Sequence, residues 1–295
     1  MSLPNRYLRL KWVILCSIEL FCVQLVHGFS AKIEWAPCSV TLDNVSKSYP
    51  DTIWRKLTSS TPRREWALDD FSLQASQELL ILKGASSSGK STILRMILGD
   101  EEPTKGKVSI DCLKHNNCHP PKPILLDQKP NQQFAGNSKA LQSILLESIN
   151  AHGSNPGLKD SHSDVVVDEL ASLSKLDLST KALDLSPSEC YKAQILRATI
   201  ESTYSKAFLS QTENDIMVNI PAPVLLLDEW MDTEPSSIIQ NVQNLLETLA
   251  DQCGATILSV THKPDFYSYN ASRQQPRSIT MSRGRVLPDL PRSLS

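Results

Sequence analysis

The stretch "ELLILKGASSSGKSTILRMILG", Glu78 to Gly99, constrains the fold more tightly than any other. It reads as an apolar strand running straight through a loop into a helix, with Gly84, Gly89, Lys90 and Ser91 in the places of G-x-x-x-x-G-K-S. The backbone N–H groups of such a loop and of the helix start suit phosphate oxygens. Lys90 neutralises the outer phosphates, and the Ser91 hydroxyl completes a magnesium shell. A purely structural turn needs neither residue. The candidate nucleotide contacts are therefore Gly84, Ala85, Ser86, Ser87, Ser88, Gly89, Lys90, Ser91 and Thr92.

A second motif follows at a distance suited to the same site. "APVLLLDEW" is a short Leu-rich strand that delivers Asp228 and Glu229 at its carboxyl end, where open α/β sheets bind ligands. Asp228 is placed to hold magnesium and Glu229 to polarise an attacking water. "PILLDQKP" is a strand ending near Gln128, and "GATILSVTHKPD" is an apolar strand ending in His262. Upstream, "CSVTLDNVSKSY" and "EWALDDFSLQ" alternate as strands.

The order strand-Lys-Ser, strand-Gln, signature helix, strand-Asp-Glu, strand-His resembles the ATPase domain of ATP-binding cassette (ABC) proteins. The resemblance extends over nearly all of the chain beyond its N-terminal segment, including "GDEEPTKGKVSI" after the helix and the closing hairpin "SITMSRGRVL". It implies an α/β P-loop nucleoside triphosphate hydrolase core over about 36–290, with an antiparallel β subdomain and an inserted α-helical subdomain at about 131–204. It further implies ATP and Mg2+ as cofactors, with Ser91, Gln128 and Asp228 around the metal and Glu229, His262 and Gln128 as catalytic residues. Tyr49 takes the place where the family stacks an aromatic on adenine. By the same resemblance, two cassettes sandwich ATP head to tail, as a homodimer or heterodimer, and drive a separate membrane-spanning permease.

The chain departs from the family pattern at four places. "LDLSPSECYKAQILRA", Leu183 to Ala198, occupies the position of the L-S-G-G-Q signature; it keeps Leu185 and Ser186 but has Pro187, Ser188 and Glu189 in place of Gly, Gly and Gln. Ser186 is expected to face a partner's terminal phosphate, while Pro187 has no N–H to give. A slow homodimer is expected, or a heterodimer whose partner supplies an intact signature. Ser87 stands where the family usually has glycine, and so is expected in a conformation that glycine adopts more cheaply. "WMDTEPS" replaces the turn that touches the partner subunit. "SKAFLSQTENDIMVNIPA" is expected as a surface insertion.

Composition is consistent with one main domain: 295 residues, 40% hydrophobic and 21% charged. A net charge of −2 offers no broad basic field, and no nucleic-acid partner is expected. Of seven cysteines, Cys16 and Cys22 lie near the N-terminus; the odd, scattered remainder reads as reduced thiols. "CLKHNNCH" places Cys112, His115, Cys118 and His119 together, but their spacing fits no common zinc pattern and reads as a polar hairpin or loop.

The segment 1–28 reads as a signal or targeting leader: Arg6, Arg9 and Lys11, then an apolar run from Trp12 to Val26, then "HGFSA". "GFSA" resembles the phenylalanine junction of two-part plastid targeting sequences in algae with complex plastids. An organelle location is expected, with a plastid foremost and the cytosolic face of a membrane as the alternative. The sequons at Asn44 and Asn270 would report a luminal domain if glycosylated.

Other functions compete with permease-driven transport. "HKPD" at His262 to Asp265 faintly matches the guanine-reading N-K-x-D of GTPases, without its Asn. A soluble cassette acting in translation, repair or assembly, and a scaffold that binds ATP but barely hydrolyses it, are the remaining alternatives.

Overall fold

The computed structural model describes residues 31–49, 66–113, 119–126, 134, 137–152, 160–204, 208–211, 216–262 and 276–287. The central layer is a six-stranded sheet. It combines β4 (Leu79–Gly84), β6 (Ile124–Leu126), β9 (Val224–Asp228), β10 (Thr256–Val260), β11 (Arg277–Ser282) and β12 (Arg285–Val286) in the order β12-β11-β4-β10-β9-β6. All neighbours run parallel except the β11–β12 hairpin.

β4, β9 and β10 are apolar at successive positions because both of their faces are covered. Leu80, Leu82, Val224, Leu226, Leu258 and Val260 point to one side, where they meet Ile93, Leu94, Met96 and Ile97 of α1 (Lys90–Leu98). The same cluster takes in Val40, Leu42 and Phe71 of the antiparallel sheet made by β2 (Cys38–Ser48), β3 (Trp66–Ser76) and β5 (Lys105–Cys112). Leu79, Ile81, Leu225, Leu227 and Ile257 point to the other side. There they pack with α2 (Leu141–His152), α3 (Asp160–Ser174), α4 (Pro187–Thr203) and α5 (Ser236–Cys253).

Two expectations are corrected. The segment before the acidic strand is not a surface insertion. It forms β7 (Phe208–Gln211) and β8 (Ile216–Pro221), and β8 pairs in parallel with β1 (Ala31–Ala36) to make a third sheet, β1-β8-β7. Val218 and Ile220 of β8 are fully buried in the same cluster as the helices. The mostly apolar run "IMVNIP" suits a strand whose residues 218–221 are all buried, but its partner lies at the other end of the domain in sequence, beyond the reach of any local pattern. Strand pairing also begins at Ala31, ahead of the boundary expected near residue 36.

Among the described residues, no helix is long and apolar enough to cross a membrane. Cys38 and Cys112 face each other across β2 and β5, with Sγ atoms 3.3 Å apart, and no disulfide joins the described cysteines. The leader, Gln128, His115, Cys118 and Asn270 lie outside the described residues.

Candidate active site

Parallel register puts the carboxyl ends of three neighbouring strands side by side. Val260 of β10 is opposite Leu82 of β4 and opposite Asp228 of β9. The loop after β4, the acidic pair after β9 and the histidine after β10 thus emerge at one edge of the sheet, although the helical segments and the third sheet's strands come between them in sequence.

The phosphate loop is held from within. The Lys90 ammonium donates to Gly84 O at 2.9 Å, Ala85 O at 2.9 Å and Ser88 Oγ at 3.4 Å. Lys90 is 5% exposed, and burial lowers its pKa, opposed by the charges of Glu229, Asp228 and Asp232. Gly84 and Gly89 have φ of +149° and +99°, and a Cβ on either would lie 2.3 Å from Met281 O or 2.5 Å from Ala67 O. Only glycine fits. Ser87 has φ of +65°, as its place in the loop predicts, so it carries the strain of a side chain in the left-handed region. The β11–β12 hairpin braces the loop through Gly284 N–H to Ser88 O, 3.1 Å.

The Ser91 hydroxyl donates to Asp228 Oδ1 at 3.3 Å. Burial raises the Asp228 pKa; the Ser91 bond works against that, as do the more distant Arg95 and Lys90 charges. Glu229 has φ of +52°, another non-glycine residue in the left-handed region, and its N–H donates to Val260 O at 3.0 Å. Its Oε1 is in short contact with Nε2 of His262. Tyr49 is 46% exposed, and its hydroxyl donates to Glu101 Oε2 at 2.6 Å and lies 3.4 Å from Thr92 Oγ1. An aromatic face is therefore presented at the border of α1.

Ser186 is not joined to this group. It is the N-cap of α4: its hydroxyl accepts from the Glu189 N–H at 3.4 Å and donates to Glu189 Oε2 at 2.6 Å, while its own N–H donates to the same carboxylate oxygen at 2.8 Å. Pro187 sits at the first helical position, where a missing N–H costs the helix least. The pattern S-x-x-E carried this capping box in plain sight.

Sequence reasoning missed the work done by "WMDTEPS". Asp232 accepts from the Thr261 hydroxyl at 2.7 Å and from the His262 N–H at 2.8 Å. Trp230 stacks edge-on against Tyr191 of α4 at 4.8 Å, and the Tyr191 hydroxyl donates to Glu234 Oε1 at 2.8 Å. Burial is the main cause that raises the Tyr191 pKa, followed by Glu234. The turn is thus bonded within its own chain, at one end to β10 and at the other to the signature helix.

A family model described as ABC transporter matches residues 68–205. The cell division ATP-binding protein FtsE of Mycobacterium tuberculosis (strain ATCC 25618 / H37Rv) is 30% identical over 254 residues, spanning 85% of this chain and 95% of the relative. The chain belongs to the ABC transporter ATP-binding family. It is an ATP-binding α/β P-loop cassette with ATPase function. The thiamine import ATP-binding protein ThiQ of Escherichia coli (strain K12) is 26% identical over 213 residues, 71% of this chain and 79% of the relative. Among solved structures, cbiO1 from Clostridium perfringens, part of the ABC transporter complex cbiONQ, superposes with a TM-score of 0.59 at 19% identity, covering 84% of this cassette and 86% of that chain. A bacterial ABC transporter cassette in dimeric form gives 0.51 at 20% identity, with 84% and 96% covered. At these identities the structures speak for the fold.

Proposed function

We propose that the cassette hydrolyses Mg2+-ATP to energise a separately encoded membrane permease, working in a head-to-tail pair of cassettes. The observation that carries this reading is the convergence of Lys90 and Ser91 with Asp228, Glu229 and His262 at one edge of the parallel sheet. The relative named as a thiamine import ATP-binding protein supports the permease.

In this reading Lys90 and the loop N–H groups bind the β- and γ-phosphates, and Tyr49 offers its ring to the base. Glu229 orients the attacking water, and His262 holds a polar contact to the terminal phosphate. Ser91 and Asp228 fit magnesium: both present hard oxygen ligands, 3.3 Å apart, and a half-buried carboxylate gains from a cation beside it. Bound there, the ion would neutralise charge developing on the phosphates. Ser186 and the start of α4 serve the partner's nucleotide. With Pro187 in place of a glycine, one donor is missing, a loss of roughly 3 kcal/mol or about a hundredfold in rate. The cassette therefore turns over slowly by itself, or pairs with a cassette whose signature is intact. The leader is read as routing it to an organelle, with a plastid foremost, so that nucleotide and reduced cysteines are both at hand.

The test is a set of three variants in the purified chain. Lys90→Ala abolishes tight ATP binding, whereas Glu229→Gln keeps binding, loses turnover and traps a nucleotide-bound dimer. Full ATPase activity in both Glu229→Gln and His262→Ala would sink the assignment.

A further inference from the structure

We propose that Asp232 is a positioning residue for His262, holding the imidazole against Glu229 from within the same chain. This inference rests on the ATPase reading above and extends it to a residue outside the site as first read.

The geometry is specific. His262 is the second residue beyond the end of β10, where no ladder hydrogen bond from β4 or β9 fixes it. Both oxygens of Asp232 reach that point: Oδ1 takes the Thr261 hydroxyl at 2.7 Å, and Oδ2 takes the His262 N–H at 2.8 Å. Acceptance by a charged oxygen makes these bonds stronger than a neutral contact. Asp232 is itself anchored, because its N–H donates to Glu229 O at 3.2 Å, and the Glu229 N–H donates to Val260 O at 3.0 Å. The result is a closed circuit: Glu229 to β10, β10 to His262, His262 to Asp232, and Asp232 back to Glu229. The imidazole of His262 closes it a second time through its contact with Glu229.

Further along the same turn, Glu234 and Trp230 bind Tyr191 of α4, so the turn cannot swing away from β10 without breaking contacts with the signature helix. A residue that fixes backbone at the base of a polar side chain sets where that side chain points. Small misplacement at a reacting centre is costly in rate.

The experiment compares Asp232→Ala, Asp232→Asn, His262→Ala and the Asp232→Ala/His262→Ala double variant in the full chain. Asn can accept the His262 N–H with its oxygen and donate to the Thr261 hydroxyl, so it can preserve both links. The expected result is a fall in kcat of about tenfold in Asp232→Ala with KM for ATP within about twofold, and recovery of most of that loss in Asp232→Asn. In the His262→Ala background, Asp232→Ala costs nothing more, because its effect passes through the missing imidazole.

A full further loss in the double variant, or an unchanged kcat in Asp232→Ala, overturns the proposal. Equal losses in the Asn and Ala variants do so as well. A readout independent of turnover separates this from failure of the ATPase reading: the 15N imidazole resonances of His262 in nucleotide-free protein shift in Asp232→Ala, and its amide exchanges faster. If wild type hydrolyses no ATP yet these signals move, positioning stands and the ATPase reading falls. Unmoved signals overturn positioning whatever the turnover. Should Asp232→Ala fail to purify, Asp232→Ser, which keeps one short acceptor, is read in the same way.

Discussion

Replacing Glu189 by alanine tests whether the altered signature is first of all a well-built helix start. The Glu189 carboxylate receives two hydrogen bonds from Ser186, at 2.8 Å from the N–H and 2.6 Å from the hydroxyl. Losing the reciprocal half of a capping box costs about 0.5–1 kcal/mol. Removing a negative charge from the first turn of α4 adds about 0.3 kcal/mol, the low end of the range because the group is solvent-exposed. The sum, about 1 kcal/mol, lowers Tm by about 3 °C in a domain of this size. Glu189→Gln keeps an oxygen acceptor and so loses only the charged part, about 0.3 kcal/mol.

The pH dependence follows from the same contacts. The Ser186 hydroxyl, and after it the Ser186 N–H, hold the Glu189 carboxyl below the ordinary carboxylate range. A folded value that is depressed gives stability that is complete above the unfolded value of about 4.3 and is lost as pH falls through the folded one. The difference between wild type and Glu189→Gln should therefore be present at pH 7 and shrink below about pH 4. Urea and thermal unfolding of the nucleotide-free chain at pH 7 and near pH 3.5 measure it. Unchanged stability of Glu189→Ala at pH 7, or a Glu189→Gln deficit that is the same at both pH values, would refute the capping argument.

Two further expectations concern the loop and the third sheet. Ser87→Gly relieves a side chain at φ of +65°; after the extra flexibility of glycine in the unfolded chain is subtracted, the net gain is about 0.5 kcal/mol, and a loss of stability in chemical unfolding would contradict it. Ile220→Ala empties a fully buried position of β8 and should cost about 2–5 kcal/mol. A change within about 0.5 kcal/mol would return the segment to the surface.

How much was legible in the sequence depends on the range of the interaction. Local pattern was enough for the phosphate loop, because a tight turn needs glycine at set positions and Lys-Ser beside it, and the loop appears where the residues say. It was enough for Ser87, whose backbone is the one a glycine would normally take. It was enough for the apolar strands of the core, since burial on both faces leaves no alternation to obscure. The capping box is local too, since S-x-x-E ahead of an apolar-spaced run marks a helix start whatever signature the same residues stand in for.

The pieces themselves are written locally: strand, phosphate loop, helix, acidic strand end and histidine strand end, each in residues that adjoin along the chain. Which pieces meet is settled by the whole fold. β4, β10 and β9 lie side by side, although β4 ends at Gly84, β9 begins only at Val224, and β10, later still in the chain, inserts between them. β1 finds β8 across most of the domain. Asp232, part of the turn that departs from the family pattern, lies where both its oxygens meet the residues after β10. One cause underlies all three cases. Turns, caps and strand propensity depend on neighbours a few bonds away. Register between distant strands, and the choice of a carboxylate's partners, depend on burial of the whole core and on the need to give every polar group it encloses a hydrogen bond.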